Sequence, residues 1–472
     1  MKFEGFQVYD LDIEEAKMER SERSGIKPRS LNAINRPHLI IDNENQPGSS
    51  SNFLSSFSSG VWNSIISAKD KLLYSSSLMK NYPLDLSKQN FIRIFDKTFD
   101  SKSKSKLDKY LNIILLMTYR SNFYPIKTSN GKSSYTSDCG WGCMVRSGQM
   151  MLAKAILDFK LYTKDTLFKS TEVSFAKDSF YLLRDDSELN KIKCETLMLF
   201  LDYPVFFDDV IDIEEYAKYK EYSLLPKDSK ENINKDDFDL KINPPFSILN
   251  IFALGKTVIK KEPGEWFSDA NLIKIFCHIQ YNFRILQDFE FFNFSEGFID
   301  ERIILQRCFS LRNNDNGYNL NMLKRKKREY YYTKNGILFV SVRIGLKEIS
   351  NNYIANKSIE KIFNITNNIG IIGGKTNKAF YFIGTCDKGL IYLDPHVNQE
   401  AIKDRSKLMI NTNFDTYKVN DVYALNVKNM SPCFTIGFLF KSFDEYERLI
   451  KDFEVYENET GVNKIFSFQK YD

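Results

Sequence analysis

The chain has 472 residues, of which 43% are hydrophobic and 14% are aromatic, enough to build one large domain or two. Its formal net charge of +5 is too small to indicate binding to nucleic acid. Seven cysteines are scattered without a Cys-x-x-Cys pair, so the sequence favours neither a disulfide framework nor a zinc site. This cysteine usage is typical of a reducing compartment.

The N-terminal segment is expected to lack a signal for export or membrane insertion. Its first twenty residues include early acidic side chains and no apolar run of signal-peptide length. The longest apolar run that we find, 113–117, is far shorter than the roughly 18 residues of a membrane span. We therefore expect a soluble, cytoplasmic protein. Residues 1–58 are predicted to be a disordered tail, because 43–60 is serine-rich and polar.

From residue 59 to residue 472 the apolar pattern predicts a folded domain, with divergent insertions near 160–245 and 285–335. A period of 3.6 residues predicts two core helices, with buried faces formed by Val145, Gly148, Leu152, Ile156 and Phe159 in the first and by Leu272, Ile275, Phe276 and Ile279 in the second. Apolar runs later in the chain predict strands at 337–346, on both sides of a turn within 379–396, and at 433–440, followed by a short helix at 443–453. Helices first and strands later indicate an α+β fold with an antiparallel sheet.

The stretch TSDCGWGCMVRSGQMMLAKAIL places a cysteine, Cys143, at the start of the first of these helices. A helix N-terminus and a neighbouring imidazolium both lower the pKa of a thiol. Gly140 and Gly142 leave room for a substrate backbone beside it. Cys139 follows Asp138, whose charge is expected to oppose thiolate formation. Cys143 is therefore the better candidate for a nucleophile.

Only three histidines could serve as the base of this nucleophile. His38 lies in the predicted tail, and His278 is next to Cys277 in a predicted helix, where adjacent residues do not face each other. His396 follows an apolar strand, two residues after Asp394, and such positions point to the same side of an extended chain. The pattern favours a Cys-His-Asp hydrolase or acyltransferase. The alternatives are an inert buried cysteine and a surface turn in which Asp394 caps backbone amides.

Four blocks, TSDCGWGCMVRSGQMMLA, PGEWF, IGIIGGKTNKAFYFIG and IYLDPHVNQ, closely resemble the autophagin family, the autophagy-related protein 4 cysteine peptidases. The resemblance runs in blocks from about residue 107 to residue 440. It implies a papain-like cysteine peptidase fold with an antiparallel sheet and an added small domain. It implies no cofactor and no metal.

The resemblance also implies a role for each matching residue. Cys143 corresponds to the nucleophile, His396 to the base, Asp394 to the residue that orients it, and Tyr119 to an oxyanion-hole donor. Trp266 matches a tryptophan that shields the active site, and 373–379 matches a mobile loop above it, where Thr376 replaces the usual proline. The substrate is expected to contact four residues: Trp266, Gly142, Gly374 and Thr376.

Members of this family act on ubiquitin-like modifiers of the autophagy-related protein 8 type. The resemblance therefore implies cleavage after the C-terminal glycine of such a modifier, both to prime it and to release it from phosphatidylethanolamine. Two alternatives stay open at this point. One is a Cys-His-Asp acyltransferase, and the other is a non-catalytic protein that binds the modifier.

Two further segments have competing interpretations. GIIGGKT (370–376) looks like a phosphate-binding loop, but its glycines are one residue too close and a strand, not a helix, follows. A basic run shortly before three tyrosines is a solvated loop, a contact with anionic membrane or a signal for nuclear import. It consists of Lys324, Arg325, Lys326, Lys327 and Arg328.

Overall fold

A long helix packed against a large mixed sheet forms the centre of the protein, as seen in a computed structural model. The structure describes residues 82–100, 104–169, 186–203, 205–206, 241–242, 244–311, 330–402, 408 and 414–471. All of them belong to a single unit, Val61–Asp472. The predicted tail at 1–58 and the basic run at 324–328 lie outside the described residues and stay predictions.

The described residues form eight α-helices: α1 Lys104–Ile113, α2 Cys143–Lys169, α3 Asp186–Leu197, α4 Ile248–Val258, α5 Asp269–Phe283, α6 Glu301–Cys308, α7 Asn351–Ala355 and α8 Phe443–Thr460. They also form eighteen strands: β1 Ile92–Ile94, β2 Lys97–Phe99, β3 Tyr119–Lys127, β4 Ser134–Ser137, β5 Val205–Phe206, β6 Lys241–Ile242, β7 Phe289–Phe294, β8 Phe298–Asp300, β9 Phe309–Leu311, β10 Tyr330–Tyr332, β11 Asn335–Arg343, β12 Asn368–Lys375, β13 Lys378–Cys386, β14 Gly389–Leu393, β15 Asn398–Glu400, β16 Tyr423–Leu425, β17 Cys433–Phe440 and β18 Ser467–Gln469.

The main sheet has nine strands in the order β16-β14-β13-β12-β17-β11-β7, with β1 beside β13 and β2 beside β1. Its pairings are antiparallel except for the parallel pairing of β7 with β11. A smaller sheet, β15-β3-β4, brings the chain after His396 beside Tyr119. The predicted α+β fold with a mainly antiparallel sheet is therefore confirmed.

The main sheet is covered on both faces, which explains why its strands are apolar at nearly every position. Neighbouring residues in a strand point to opposite faces. Ile337 thus packs into the core formed with α2, α4 and α5, whereas Leu338 packs into a second core formed with α8. Because the sheet is held from both sides, its strand ends are firmly placed, and two of the site residues lie just beyond the end of one of them.

Most of the predicted elements are confirmed, and several differ in extent. All four apolar residues named for the second predicted helix are buried in α5, whereas Phe159 of the α2 face is only half-buried. The last helix, α8, runs seven residues beyond the predicted end, to Thr460. Parts of both segments predicted as insertions belong to the core, since α3 packs on α2 and β7 is an edge strand of the main sheet.

Two further features bear on the sequence-based expectations. The GIIGGKT segment lies in β12 and its following turn, and the next element is β13. No helix N-terminus is therefore available there for a phosphate. Among the described residues, no helix combines the length and the apolar character needed to cross a bilayer.

The contribution of the α5 face to stability can be measured with two aromatic truncations on that helix. Phe276 is fully buried against Phe246, with ring centroids 5.8 Å apart, so Phe276→Ala is expected to lower the free energy of unfolding by about 3–5 kcal/mol. Tyr281 is 58% exposed, so Tyr281→Ala serves as the control and should change it by no more than about 0.5 kcal/mol. Denaturant unfolding of both variants tests this, and equal losses would contradict the assigned core.

Candidate active site

Cys143 is the first residue of α2, and its side chain is completely buried. It lies in a small cluster with Tyr119, Cys139 and Ala379. The first N–H groups of a helix have no acceptor within that helix. The backbone N–H of Cys143 is one of them, and the positive end of the helix dipole faces the same space. A thiol in this position can act as a nucleophile, and the N–H beside it can bind a developing oxyanion.

The turn before Cys143 is tight and requires glycine. The carbonyl oxygen of Asp138 accepts hydrogen bonds from the N–H groups of Trp141 at 3.1 Å and Gly142 at 2.8 Å. A Cβ atom on Gly142 would lie 2.2 Å from Oδ2 of Asp138, so no larger residue fits without displacing that carboxylate. Gly140 has a φ of +86°, a conformation that glycine adopts without strain.

His396 and Asp394 form the ion pair that the sequence predicts after the apolar strand, which is β14. Nδ1 of His396 lies 2.5 Å from Oδ1 of Asp394, and the same oxygen accepts the backbone N–H of His396 at 3.0 Å. This contact leaves Nε2 as the free ring nitrogen. Nε2 is buried and makes no hydrogen bond of standard geometry to the described residues. The carboxylate therefore fixes both the tautomer and the direction of the imidazole.

The surroundings of His396 favour its protonated form. Burial acts to lower the pKa of the imidazole, but the contacts with Asp394 and with the Cys143 thiol raise it, to about 9. The rings of Tyr119 and Phe380 meet the imidazole edge-on, at centroid distances of 5.4 Å and 5.6 Å. An imidazolium next to a thiol is the arrangement that supports a thiolate-imidazolium pair.

Tyr119 begins β3 and is buried beside both Cys143 and His396. Its backbone N–H donates to the carbonyl oxygen of Pro395 at 2.9 Å, and β3 pairs in parallel with β15. These contacts fix the start of β3 to the segment that carries His396. The sequence-predicted residues Cys143, His396, Asp394 and Tyr119 are thus brought into one site.

Trp266 joins this site through the turn before Cys143. Its indole Nε1 donates a hydrogen bond of 2.9 Å to the carbonyl oxygen of Gly140, and 40% of the residue is exposed. The following residues lead into α5, whose N-cap is Ser268. The indole therefore lies at the rim of the site, where a shielding or substrate-binding role remains a prediction.

The segment 373–379, expected to be a mobile loop, is mostly a strand hairpin. β12 and β13 pair as far as Lys375 and Lys378, which leaves only Thr376 and Asn377 in the turn. Gly374 pairs with Ala379, which belongs to the Cys143 cluster. The carbonyl oxygen of Gly374 accepts the N–H of Ser431 at 2.6 Å. Thr376 is exposed at the tip. Gly374 thus lies beside the site, and a substrate contact by either residue remains a prediction.

The cysteine and histidine at 277 and 278 do not form a second site. They are neighbours within α5, as predicted. Burial raises the pKa of Cys277 to about 12 and lowers the pKa of His278. Within the described ranges, no group of three or more His, Cys, Asp or Glu side chains could hold a metal ion.

The expectation that the charge of Asp138 opposes a thiolate at Cys139 needs correction. Asp138 is fully buried, and Nε of Arg146 lies 2.7 Å from its Oδ2, so its charge is balanced. Arg146 in turn contacts Asp202, far along the chain. The sequence analysis missed Arg146, Asp202 and Ala379. For Arg146, the only available signal was its place one helical turn after Cys143.

A helix that begins at a buried cysteine, packed against a sheet that carries a paired histidine, is the arrangement of a papain-like cysteine peptidase. The chain matches the model of the peptidase C54 catalytic domain over residues 104–452. The chain therefore belongs to the peptidase C54 family, the autophagin cysteine peptidases, and is a cysteine-type peptidase.

Individual relatives agree with this assignment. The chain is similar to cysteine protease ATG4C of Xenopus laevis, with 25% identity covering 75% of this chain and 71% of the relative. It is also similar to a probable cysteine protease atg4 of Aspergillus oryzae, with 23% identity over 70% of this chain and 68% of the relative. For cysteine protease ATG4 of Candida albicans the identity is 26%, over 70% of this chain and 54% of the relative.

The raised pKa of His396 has a consequence for pH dependence. Because the folded value of about 9 lies above the ordinary value of 6.5, the interaction contributes stability that is full below about pH 6.5 and is lost as the pH rises through 9. We expect imidazole NMR to show His396 titrating near 9, and peptidase activity to fall above that pH. Asp394→Asn removes a contact that raises the pKa and should move both changes to lower pH.

His278 provides an internal control in the same spectra. Its pKa is lowered by burial, so it should titrate below 6.5, and His278→Gln assigns its signal. A His396 signal that titrates at or below 6.5 would contradict the described geometry.

Proposed function

We propose that this peptidase cleaves ubiquitin-like modifiers of the autophagy-related protein 8 type after their C-terminal glycine. The proposed reactions are priming of the precursor and release of the modifier from phosphatidylethanolamine. The observation that carries the proposal is the buried Cys143 at the start of α2, beside the His396–Asp394 pair. The similarity to proteins named cysteine protease ATG4 supports the choice of substrate.

In the first step the Cys143 thiolate attacks the carbonyl carbon of the terminal glycine. The oxyanion that forms is placed to accept hydrogen bonds from the N–H of Cys143 and the hydroxyl of Tyr119. Loss of one such donor typically costs about 10²–10³ in rate. The His396 imidazolium then gives its proton to the leaving amine, which is either the next residue or the lipid amine, and a thioester remains.

In the second step water hydrolyses the thioester. His396, now neutral, takes a proton from the water as it attacks, and the Cys143 thiolate leaves. Asp394 keeps the imidazole in the required tautomer throughout both steps. The modifier is released with a free glycine carboxylate, and the enzyme returns to its thiolate-imidazolium state.

Preference for glycine follows from the crowding around Cys143. The indole of Trp266 is hydrogen-bonded to the turn at Gly140, and Ala379 of the β12–β13 hairpin packs in the same cluster as Cys143. A glycine presents no side chain to either of them. Any larger residue at this position of the substrate must displace one of these groups or lose the near-attack geometry.

The proposal is tested with a modifier that extends beyond its C-terminal glycine. We expect cleavage directly after that glycine, complete loss of cleavage in Cys143→Ser, and a loss of about 10²–10³-fold in kcat in Tyr119→Phe. Cys139→Ser is the matched control, because it removes a neighbouring thiol outside the proposed chemistry. Mass spectrometry of the products locates the cut.

Two other outcomes would replace the proposal. Transfer of the glycyl group to an added amine, without hydrolysis, would indicate an acyltransferase. Binding of the modifier without turnover would indicate a non-catalytic binding protein. Cleavage that persists in Cys143→Ser would exclude Cys143 as the nucleophile.

We also propose that the basic run at 324–328 binds anionic membrane, which suits an enzyme that releases a lipid-linked substrate. Each basic residue near such a surface contributes about 1 kcal/mol, so five together give measurable binding. The protein should sediment with vesicles that contain phosphatidylserine and not with neutral vesicles. Replacing the five residues by Gln should abolish this, while cleavage of the soluble precursor stays intact. Unchanged sedimentation would exclude the run as a membrane contact.

A further inference from the structure

Four charged side chains form a buried cluster behind the turn that precedes Cys143. Their exposed fractions are 1% for Arg120, 0% for Asp138, 2% for Arg146 and 3% for Asp202. Arg146 pairs with both aspartates, while the guanidinium of Arg120 bonds to Glu400 and Thr416. Burial acts to lower the pKa of Arg146, but the charges of Asp138 and Asp202 outweigh burial and hold this pKa above its ordinary value. Arg146 is therefore protonated, whereas burial raises the pKa of Asp138 above its ordinary value and lowers the pKa of Arg120 below its own.

Asp138 joins three segments of the site. Its Oδ1 accepts the N–H of Arg120 at 2.7 Å, directly after Tyr119. Its Oδ2 accepts Nε of Arg146 at 2.7 Å, one turn into α2. Its own carbonyl oxygen accepts the N–H groups of Trp141 and Gly142. One residue thus holds together the start of β3, the turn and the start of α2.

Asp202 contacts the same guanidinium from a different side. Its Oδ2 lies 2.7 Å from Nη1 of Arg146, and its Oδ1 accepts the N–H of Ile248 at 3.2 Å, at the start of α4. In the part of the chain that the structure describes, Asp202 makes no hydrogen bond or ion pair with the turn at Gly140 or Gly142. Asp138 and Asp202 therefore share one cationic partner, but only Asp138 contacts the backbone that presents Cys143.

Such a cluster is a weak source of stability. The desolvation of buried charges commonly offsets their mutual attraction. In addition, Nη2 of Arg146 is buried without a hydrogen-bond partner among the described residues, which carries a further cost. What the cluster does supply is fixed geometry, because each carboxylate oxygen of Asp138 has a single directed donor.

From these contacts we propose that Asp138 is a positioning residue, which sets the N–H of Cys143 and the hydroxyl of Tyr119 at the separation that an oxyanion requires. Its side chain acts through Arg120 and Arg146, its main-chain carbonyl oxygen holds the turn at Gly142, and it does not touch the substrate. The inference rests on the proposed role of Cys143 as the nucleophile. It assigns to Asp138 an effect on the transition state and none on substrate binding.

The test compares Asp138→Asn with Asp202→Asn. In each variant the amide can accept only one of the two hydrogen bonds that the carboxylate accepts, and Arg146 loses one of its two anionic partners. The variants are thus matched in charge, size and burial. They differ in the second segment that each aspartate holds besides Arg146, which is the start of β3 at Arg120 for Asp138 and the start of α4 at Ile248 for Asp202.

Kinetics are measured with a short peptide that ends in glycine coupled to a coumarin amine, and with the extended modifier. For Asp138→Asn we expect kcat to fall by about 10²-fold, with KM unchanged, since a displacement of about 1 Å has such an effect. For Asp202→Asn kcat should stay close to that of the wild type, although both variants unfold at a lower temperature. Equal losses of kcat in the two variants, or none in Asp138→Asn, would overturn the proposal.

Alkylation of Cys143 by iodoacetamide separates positioning from an altered thiol. This reaction needs the thiolate but no oxyanion hole, so its rate and pH profile in Asp138→Asn should stay near those of the wild type. A loss of alkylation as large as the loss of kcat would overturn the proposal. Should Asp138→Asn fail to fold, Gly142→Ala tests the same contact, because its methyl group takes the place of Oδ2. An unchanged kcat in that variant would also overturn it.

The coumarin peptide keeps this test apart from that of the proposed function. If the wild type cleaves the peptide but not the modifier, the proposed substrate is wrong and the role of Asp138 is still measured. If Cys143→Ser retains activity on the peptide, the proposed nucleophile is wrong, whichever result the aspartate variants give.

Discussion

The packing of α2 against β12 and β13 is the constraint on which the site depends. A helix lying on a sheet that is covered on its other face cannot shift without opening two cores. Cys143 is at the end of that helix, and Asp394 and His396 follow β14, the strand next to β13. The distance between sulfur and imidazole is therefore set by the core and not by the loops, which is how a buried pair keeps one geometry.

Much of this arrangement could be predicted from the sequence, because its signals are local. The apolar period after Cys143 defined α2, and the Asp-x-His spacing after an apolar run defined the ion pair. With only three histidines in the chain, elimination was enough to select His396. The sequence does not indicate where α1 ends and β3 begins, because the apolar pattern of residues 107–123 is compatible with a helix or a strand.

What the sequence could not reveal depends on contacts between distant segments. Asp138 and Arg146 look like ordinary surface residues in a polar stretch. Only the fold shows that they pair with each other, and that Asp202, distant in sequence, pairs with the same arginine. The parallel strand β7 lies in a segment that was interpreted as an insertion, since its apolar run is short and its partner β11 is far away in sequence. The family resemblance predicts a mobile loop at 373–379, whereas the structure shows a hairpin of β12 and β13 there. Gly374 is required in this hairpin because the carbonyl oxygen of Lys378 lies 1.9 Å from where a Cβ atom would be.

The two elements that flank Cys143 differ in stiffness. The hairpin is held by paired strands up to its two-residue tip and by the bond from Ser431 to Gly374. The indole of Trp266 is tied to the turn by one hydrogen bond to Gly140 and is partly open to water. Under the proposed function, we therefore expect the entrance beside Cys143 to widen by movement of the indole and not of the hairpin. The range of substrates that can reach the nucleophile is then expected to depend on this one aromatic ring.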